Sequence, residues 1–106
     1  MKLEQHNLPI DLRHDELIIV CQTFGVQELR LFGSVLRDDF HDQSDIDVLC
    51  TLQPDSPARG MRWIDLLLAL EDVWGRPVDL VKPKFLNHMI REEVLQEAQT
   101  IYVASS

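Results

Sequence analysis

Short segments with helical spacing of apolar residues alternate with short segments rich in Ile, Val and Leu along nearly the whole chain. Glycine or proline separates many of them, as at Gly25, Gly33, Gly75 and Pro77. Apolar residues every three or four positions favour a helix, whereas alternation or a short apolar run favours a strand. This order predicts an α/β (α+β) fold, a small parallel or mixed sheet with helices packed against it. The length of 106 residues fits a single domain, residues 1–106.

The predicted elements follow the order α-β-α-β-α-β-α, with a possible closing strand. The helices are expected at about 13–24, 35–40, 58–74 and 86–97, and the strands at 28–32, 45–51, 78–81 and 100–103. In the third helix, an apolar stripe with spacings of 4, 3 and 4 is expected to face the core: Trp63, Leu67, Leu70 and Trp74. The last helix carries its own apolar side: Leu86, Met89, Ile90 and Val94.

The charge balance excludes some classes of function. The chain has 10 basic and 18 acidic residues and a net charge of -8. A protein that binds nucleic acid directly needs clustered Lys or Arg, so this class is disfavoured, whereas a cation site or a basic protein partner is compatible. No apolar run reaches the roughly 18 residues of a membrane span, and the N-terminus has no signal-like segment, so we expect a cytoplasmic protein. Cys21 and Cys50 are expected to be buried free thiols.

Two aspartates lie two positions apart at the start of an apolar strand. Because strand side chains alternate, Asp45 and Asp47 are expected on one face and Ile46 on the other. Neighbouring carboxylates repel each other unless one is protonated or a cation lies between them, and Mg²⁺ prefers such oxygen ligands. A pair of solvated aspartates at a strand entry is the alternative, because this short pattern is common by chance.

A glycine and a serine follow the preceding strand. Gly33 allows backbone N–H groups to approach a phosphate, Ser34 adds a hydroxyl, and Arg37 adds a positive charge one turn later. A plain turn in which Ser34 caps a helix is the alternative.

A third aspartate lies in the apolar run Val78-Asp79-Leu80-Val81. An ionised carboxylate in such a strand is costly unless it is paired or bound to a metal. If this strand lies beside the strand that begins at Asp45, three carboxylates converge. Otherwise Asp79 faces solvent on an edge strand or pairs with Arg76 or Lys82.

These features together resemble the nucleotidyltransferase fold shared with DNA polymerase beta. The resemblance rests on Gly33-Ser34, ten intervening residues, Asp45-Ile46-Asp47, and the later Asp79. At this length the chain is similar to the minimal nucleotidyltransferases. Many members have Ala and Gly where this chain has Leu36 and Asp38, which puts an extra negative charge near the triphosphate.

The resemblance implies a nucleotidyl transfer in which Asp45, Asp47 and Asp79 hold two Mg²⁺ ions about 4 Å apart. Gly33, Ser34 and Arg37 would bind the nucleoside triphosphate, and Asp79 would accept the proton of the attacking hydroxyl. The short chain leaves little room for an acceptor site, so a second protein would supply it.

Minimal nucleotidyltransferases are commonly antitoxins of HEPN-domain ribonuclease toxins. By resemblance, the partner would be such a toxin in a hetero-oligomer, and the reaction would transfer AMP from ATP to a toxin tyrosine. Two alternatives stay open: an antitoxin that only occludes its toxin, and a nucleotidyltransferase that acts on RNA or a small molecule.

Overall fold

The computed structural model describes residues 8–104. Its helices are α1 (His14–Thr23), α2 (Trp63–Trp74) and α3 (His88–Glu97), and its strands are β1 (Val26–Phe32), β2 (Ile46–Leu52), β3 (Val78–Val81) and β4 (Gln99–Val103). Three single turns of 3₁₀ helix lie between them: Gly33–Leu36, Gly60–Arg62 and Pro83–Phe85. The predicted fold class is confirmed, because these helices accompany one mixed sheet.

The four strands lie in the order β3-β2-β1-β4. Strand β1 is antiparallel to both β2 and β4, whereas β2 and β3 are parallel and are connected through α2. In the register of the parallel pair, Ile46 lies opposite Val78 and Asp47 lies opposite Asp79. The strands that carry the aspartates therefore begin at the same end of the sheet.

The core forms between one face of the sheet and helices α1 and α2. Strand β2 contributes alternate residues to it, and the helices contribute the fully buried Leu17 and Leu70. The members from β2 are Ile46, Val48 and Cys50. Burial of a leucine of this kind stabilises the fold by about 1.5–3 kcal/mol. Because successive side chains of a strand alternate, Asp47 points away from this core.

The predicted helix over 35–40 is wrong. The chain forms only the 3₁₀ turn Gly33–Leu36 there and then a turn. The predicted helix over 58–74 begins later, because Gly60 has a φ of 70° and a 3₁₀ turn precedes Trp63.

The apolar stripe of α2 is shifted from the predicted one. Leu66 and Leu70 are completely buried and Val73 nearly so, whereas both tryptophans are half-buried and pack against the edge of the core. The indole Nε1 of Trp74 donates to the carbonyl of Leu12 at 3.0 Å. The tryptophans are therefore core-flanking residues, and the centre of the helix is aliphatic.

The predicted apolar side of α3 does not enter the core. No side chain of this helix is buried, and Met89 and Ile90 are 81% and 46% exposed. The helix is attached at its end, where Nη2 of Arg30 donates to the carbonyl of Leu95 at 2.9 Å.

Both cysteines are buried and free, as predicted. Burial raises the pKa of the Cys21 and Cys50 thiols to about 12. Within residues 8–104, no helix has the length and apolarity to cross a membrane.

Candidate active site

Two carboxylates face each other across the parallel strands at the end of the sheet. Asp47 of β2 and Asp79 of β3 are direct register partners, which confirms that the third aspartate lies beside the first pair. Asp47 is half-buried, whereas Asp79 is exposed on the edge strand. Burial, followed by the charges of Asp79 and Asp45, raises the pKa of the Asp47 carboxyl. The acidic side chains of this site therefore repel one another when no cation is bound.

Asp45 lies one residue before β2 and is exposed. The strand is fixed directly after it, because the backbone N–H of Ile46 donates to the carbonyl of Pro77 at 3.0 Å. The charge of Asp45 nevertheless acts on Asp47. The three predicted carboxylates thus belong to one electrostatic cluster, although only two of them lie within strands.

Asp79 has neither of the partners that the alternative interpretation gave it. Among the ion pairs of residues 8–104, none joins Asp79 to Arg76 or Lys82. The alternative is correct in one respect, because β3 is an edge strand and the Asp79 side chain is exposed. Its carboxylate is accessible from outside the sheet.

The Gly33-Ser34 turn packs directly against Asp47. Gly33 has a φ of 77°, and a Cβ atom there would collide with the Asp47 carboxylate. The backbone amide of Ser34 lowers the pKa of the same carboxylate. The turn therefore requires glycine for its backbone angle and for the space that the carboxylate fills.

This turn is not the N-terminus of a regular helix. Only the four residues Gly33–Leu36 form a 3₁₀ turn, so a helix dipole contributes little there. At the two positions of departure, Leu36 packs partly against the core and Asp38 is exposed.

Arg37 supplies positive charge at the edge of the carboxylate cluster. Its charge lowers the pKa of Asp47, and its Nη2 lies 3.7 Å from Oε1 of Glu97 at the end of α3. Both side chains of this ion pair are about half exposed, so the pair contributes little stability. The guanidinium can therefore exchange Glu97 for a phosphate at small cost.

Arg76 is a site-supporting residue that the sequence analysis considered only as a partner for Asp79. Its Nη1 donates to the carbonyls of His41 and Ser44 at 3.1 and 3.2 Å, and its guanidinium carbon lies 4.7 Å from the centroid of the Phe40 ring. Arg76 thereby holds the loop that leads into Asp45 against the segment that leads into Asp79. The sequence signal for this role is only its position three residues before Asp79.

The acids of the site suit a hard cation in their chemistry. Within the described part of the chain, no three His, Cys, Asp or Glu side chains lie close enough to hold a metal ion by themselves. The carboxylates of Asp47 and Asp79 are paired across the strands, and the charges of Asp79 and Asp45 raise the pKa of Asp47 more than the charge of Arg37 lowers it. Two carboxylates completed by water and substrate phosphates are an ordinary environment for Mg²⁺.

Three comparisons with known proteins agree with this geometry. Residues 17–101 match the family model described as a nucleotidyltransferase domain. The chain is 35% identical to the protein adenylyltransferase MntA of Thermococcus cleftensis over 77% of this chain and 79% of that protein.

Solved structures give the same result. A minimal nucleotidyltransferase structure has a TM-score of 0.65 at 35% identity, covering 81% of this chain and 85% of that chain. A toxin–antitoxin complex with AMP-PNP has a TM-score of 0.60 at 23% identity, covering 86% of this chain and 73% of that chain. At that identity, the second likeness concerns the fold.

The family model covers the Gly33-Ser34 turn, the three aspartates and the strands that carry them. The family model matches most of the chain, and the MntA relative is similar over most of its length. Membership of this family explains both the spacing of the aspartates and the mixed four-stranded sheet. The chain belongs to the nucleotidyltransferase family and, within it, to the minimal nucleotidyltransferases related to MntA.

Proposed function

We propose that this chain is an antitoxin that transfers AMP from ATP to a tyrosine of a partner HEPN ribonuclease toxin and thereby neutralises it. The observation that carries the proposal is the direct pairing of Asp47 with Asp79 beside the Gly33-Ser34 turn. This arrangement brings the backbone of the turn and two carboxylates together at one end of the sheet.

In this proposal, Asp45, Asp47 and Asp79 would hold two Mg²⁺ ions together with water and the substrate phosphates. When bound, the metal would neutralise charge on the triphosphate. The amides of the Gly33-Ser34 turn and the guanidinium of Arg37 bind and orient the phosphates.

The transfer forms a bond between the tyrosine oxygen and the α-phosphorus of ATP, and it breaks the bond from that phosphorus to the pyrophosphate oxygen. Asp79 is the proposed acceptor of the tyrosine proton, because its carboxylate is exposed on an edge strand where an acceptor can approach. Asp47 is less suited to this role, since it is half-buried and packed against Gly33. A positioned base of this kind accelerates transfer about 10²–10⁴-fold.

Two features of the chain favour a protein acceptor. The net charge of -8 disfavours a nucleic-acid acceptor, and residues 8–104 are taken up by one small sheet with three helices. The relative from Thermococcus cleftensis is named a protein adenylyltransferase, and one structural neighbour is a toxin–antitoxin complex with AMP-PNP.

The partner encoded beside this chain, or copurified with it, provides the test. After incubation with ATP and Mg²⁺, peptide mapping is expected to find AMP on a tyrosine of the partner. Labelled AMP recovered on RNA instead of protein would contradict the choice of acceptor.

A second experiment separates catalysis from occlusion. Cells that express the toxin are expected to survive with the unmodified chain and to die with Asp45→Ala/Asp47→Ala at equal expression and equal complex formation. Full protection by the double variant would show that binding alone neutralises the toxin.

A further inference from the structure

A cationic groove lies at the opposite end of β2 and β3 from the carboxylates. It consists of two adjoining hollows of about 270 and 370 Å³ that share Lys82 in their walls. The first is lined by Cys50, Thr51, Leu52, Arg59, Lys82, Pro83 and Lys84. The second is lined by Gly60, Trp63, Leu80, Val81, Lys82 and Phe85.

The charge of this groove is opposite to that of the whole chain. Arg59, Lys82 and Lys84 line it, and no Asp or Glu does, although the chain has 18 acidic against 10 basic residues. The ion pairs found within residues 8–104 involve other cations, namely Arg13, Arg37 and Arg62. The groove therefore presents positive charge without an internal carboxylate partner.

Aromatic rings accompany the two lysines. The ammonium of Lys82 lies 4.9 Å from the centroid of the Trp63 ring, and that of Lys84 lies 5.4 Å from the Phe85 ring. These cation–π contacts orient both ammonium groups while leaving them free for an anion.

Exposed apolar side chains border the groove. Phe85 is 70% exposed, and Met61, which follows the groove residue Gly60, is 91% exposed. Aromatic residues, Met and Arg are enriched in the centres of protein interfaces. A cationic groove with an apolar border therefore fits a protein surface better than it fits a small ion.

The groove borders the edge strand that carries Asp79. Lys82 follows Asp79 by three residues, about 10 Å along an extended chain. Because side chains alternate along a strand, Lys82 lies with Leu80 on the helix-covered face of the sheet, whereas Asp79 lies on the opposite face. A partner that contacts both side chains must therefore pass over the open edge of β3.

We infer that the cationic groove docks the acceptor protein through a segment that carries carboxylates beside apolar side chains. This inference rests on the proposed function in one respect, that the acceptor is a protein. The docked segment would anchor the acceptor beside the open edge of β3, the strand that carries Asp79, and the specificity for one partner would come from the match of charge and apolar surface.

The test is the affinity of the complex in the absence of nucleotide. The variant Lys82→Gln/Lys84→Gln removes two positive charges from the groove. Calorimetry with the copurified partner is expected to give a dissociation constant at least about tenfold higher, and a weaker dependence on salt concentration, than the unmodified chain gives.

The matched control is Gln22→Glu/Thr23→Glu, which changes the net charge by the same two units at exposed positions on the end of α1. It is expected to leave the dissociation constant within about twofold. Phe85→Ala, a separate variant without change of charge, is expected to weaken the complex as well. Thermal unfolding shows that each variant is folded.

The result that overturns the inference is an unchanged dissociation constant for both groove variants. Binding of a labelled RNA that is lost in Lys82→Gln/Lys84→Gln, with protein affinity unchanged, would assign the groove to nucleic acid and also overturn it. Because no ATP is present, weakened binding supports the docking surface even if no AMP is ever transferred. Failure of the proposed function and failure of this inference are thus separate results.

Discussion

Gly33 leaves open the space that the carboxylate of Asp47 occupies. The two residues meet because Phe32, the last residue of β1, pairs with Asp47 of β2, so the next residue of the chain turns over that side chain. A side chain at position 33 would meet the Asp47 oxygen, and the φ of 77° already favours glycine. The glycine of the turn therefore sets the position of a carboxylate.

Gly33→Ala is expected to damage both the fold and the site. The left-handed backbone angle alone costs about 1 kcal/mol or more, and displacement of Asp47 is expected to lower transfer at least about 100-fold. The measurements are urea unfolding and the rate of AMP transfer to the partner.

Gly75→Ala is the matched control for this prediction. Gly75 has a φ of 69°, but a Cβ atom there meets nothing within 4 Å, so the backbone cost appears without the collision. Equal destabilisation of the two variants, with transfer intact in Gly33→Ala, would contradict the role assigned to Gly33.

Asp79→Asn is expected to reduce transfer about 10²–10⁴-fold, because the amide cannot accept the tyrosine proton. Since Asp79 is exposed on an edge strand, the free energy of unfolding is expected to change by less than about 0.5 kcal/mol. Single-turnover kinetics gives the rate of transfer, and urea unfolding gives the free energy of unfolding. Undiminished transfer in this variant would remove Asp79 from the reaction.

Asp47→Asn is expected to stabilise the metal-free protein at neutral pH while abolishing transfer. Burial and the neighbouring acids raise the pKa of Asp47, so the folded state prefers the protonated acid, and ionisation costs stability as the pH rises above the ordinary carboxyl range. The gain is at most about 1 kcal/mol, because the half-exposed group is screened by water.

The sign of this effect is checked by the pH dependence of unfolding. Below about pH 4 both states bind the proton, so the advantage of Asp47→Asn is expected to vanish there and to grow toward pH 7. A variant that is less stable than the unmodified chain at pH 7 in the absence of metal would contradict the cause given for the raised pKa.

Arg76→Gln is expected to raise the Mg²⁺ concentration needed for half-maximal transfer several-fold. The reason is that the loop from Phe40 to Ser44 loses the hydrogen bonds and ring contact that position Asp45. Arg76→Lys retains the charge but not the forked geometry. The Mg²⁺ concentration that it needs is expected to lie between those of the unmodified chain and Arg76→Gln. Direct Mn²⁺ binding, measured without ATP, is expected to weaken in the same order. Loss of stability without change in metal affinity would show that Arg76 supports the fold only.

The sequence predicts the sheet and the acids well because both depend on local patterns. Strand alternation puts Ile46 in the core and Asp47 outside it, and the later apolar run supplies Asp79. The direct pairing of the two aspartates depends on the register of non-adjacent segments, which no local pattern contains.

Other features depended on tertiary contacts and were missed. Residues 37–40, which the prediction included in a helix, form a turn, and the loop that follows is fixed by Arg76 from a distant segment. The apolar side predicted for α3 is largely uncovered within residues 8–104, since Met89 is 81% exposed. The spacing of apolar residues identifies the apolar face of a helix, but it does not specify whether other parts of the same chain pack against that face.

The central claim is that this chain adds AMP to a protein partner through its paired aspartates. Intact mass spectrometry of the copurified partner, incubated with the chain, ATP and Mg²⁺, tests it most directly. We expect the partner's mass to increase by one or more AMP units with the unmodified chain and to stay unchanged with Asp79→Asn, although the complex forms in both cases. An unchanged mass with the unmodified chain in a stable complex, or the same increase with Asp79→Asn, would contradict the account.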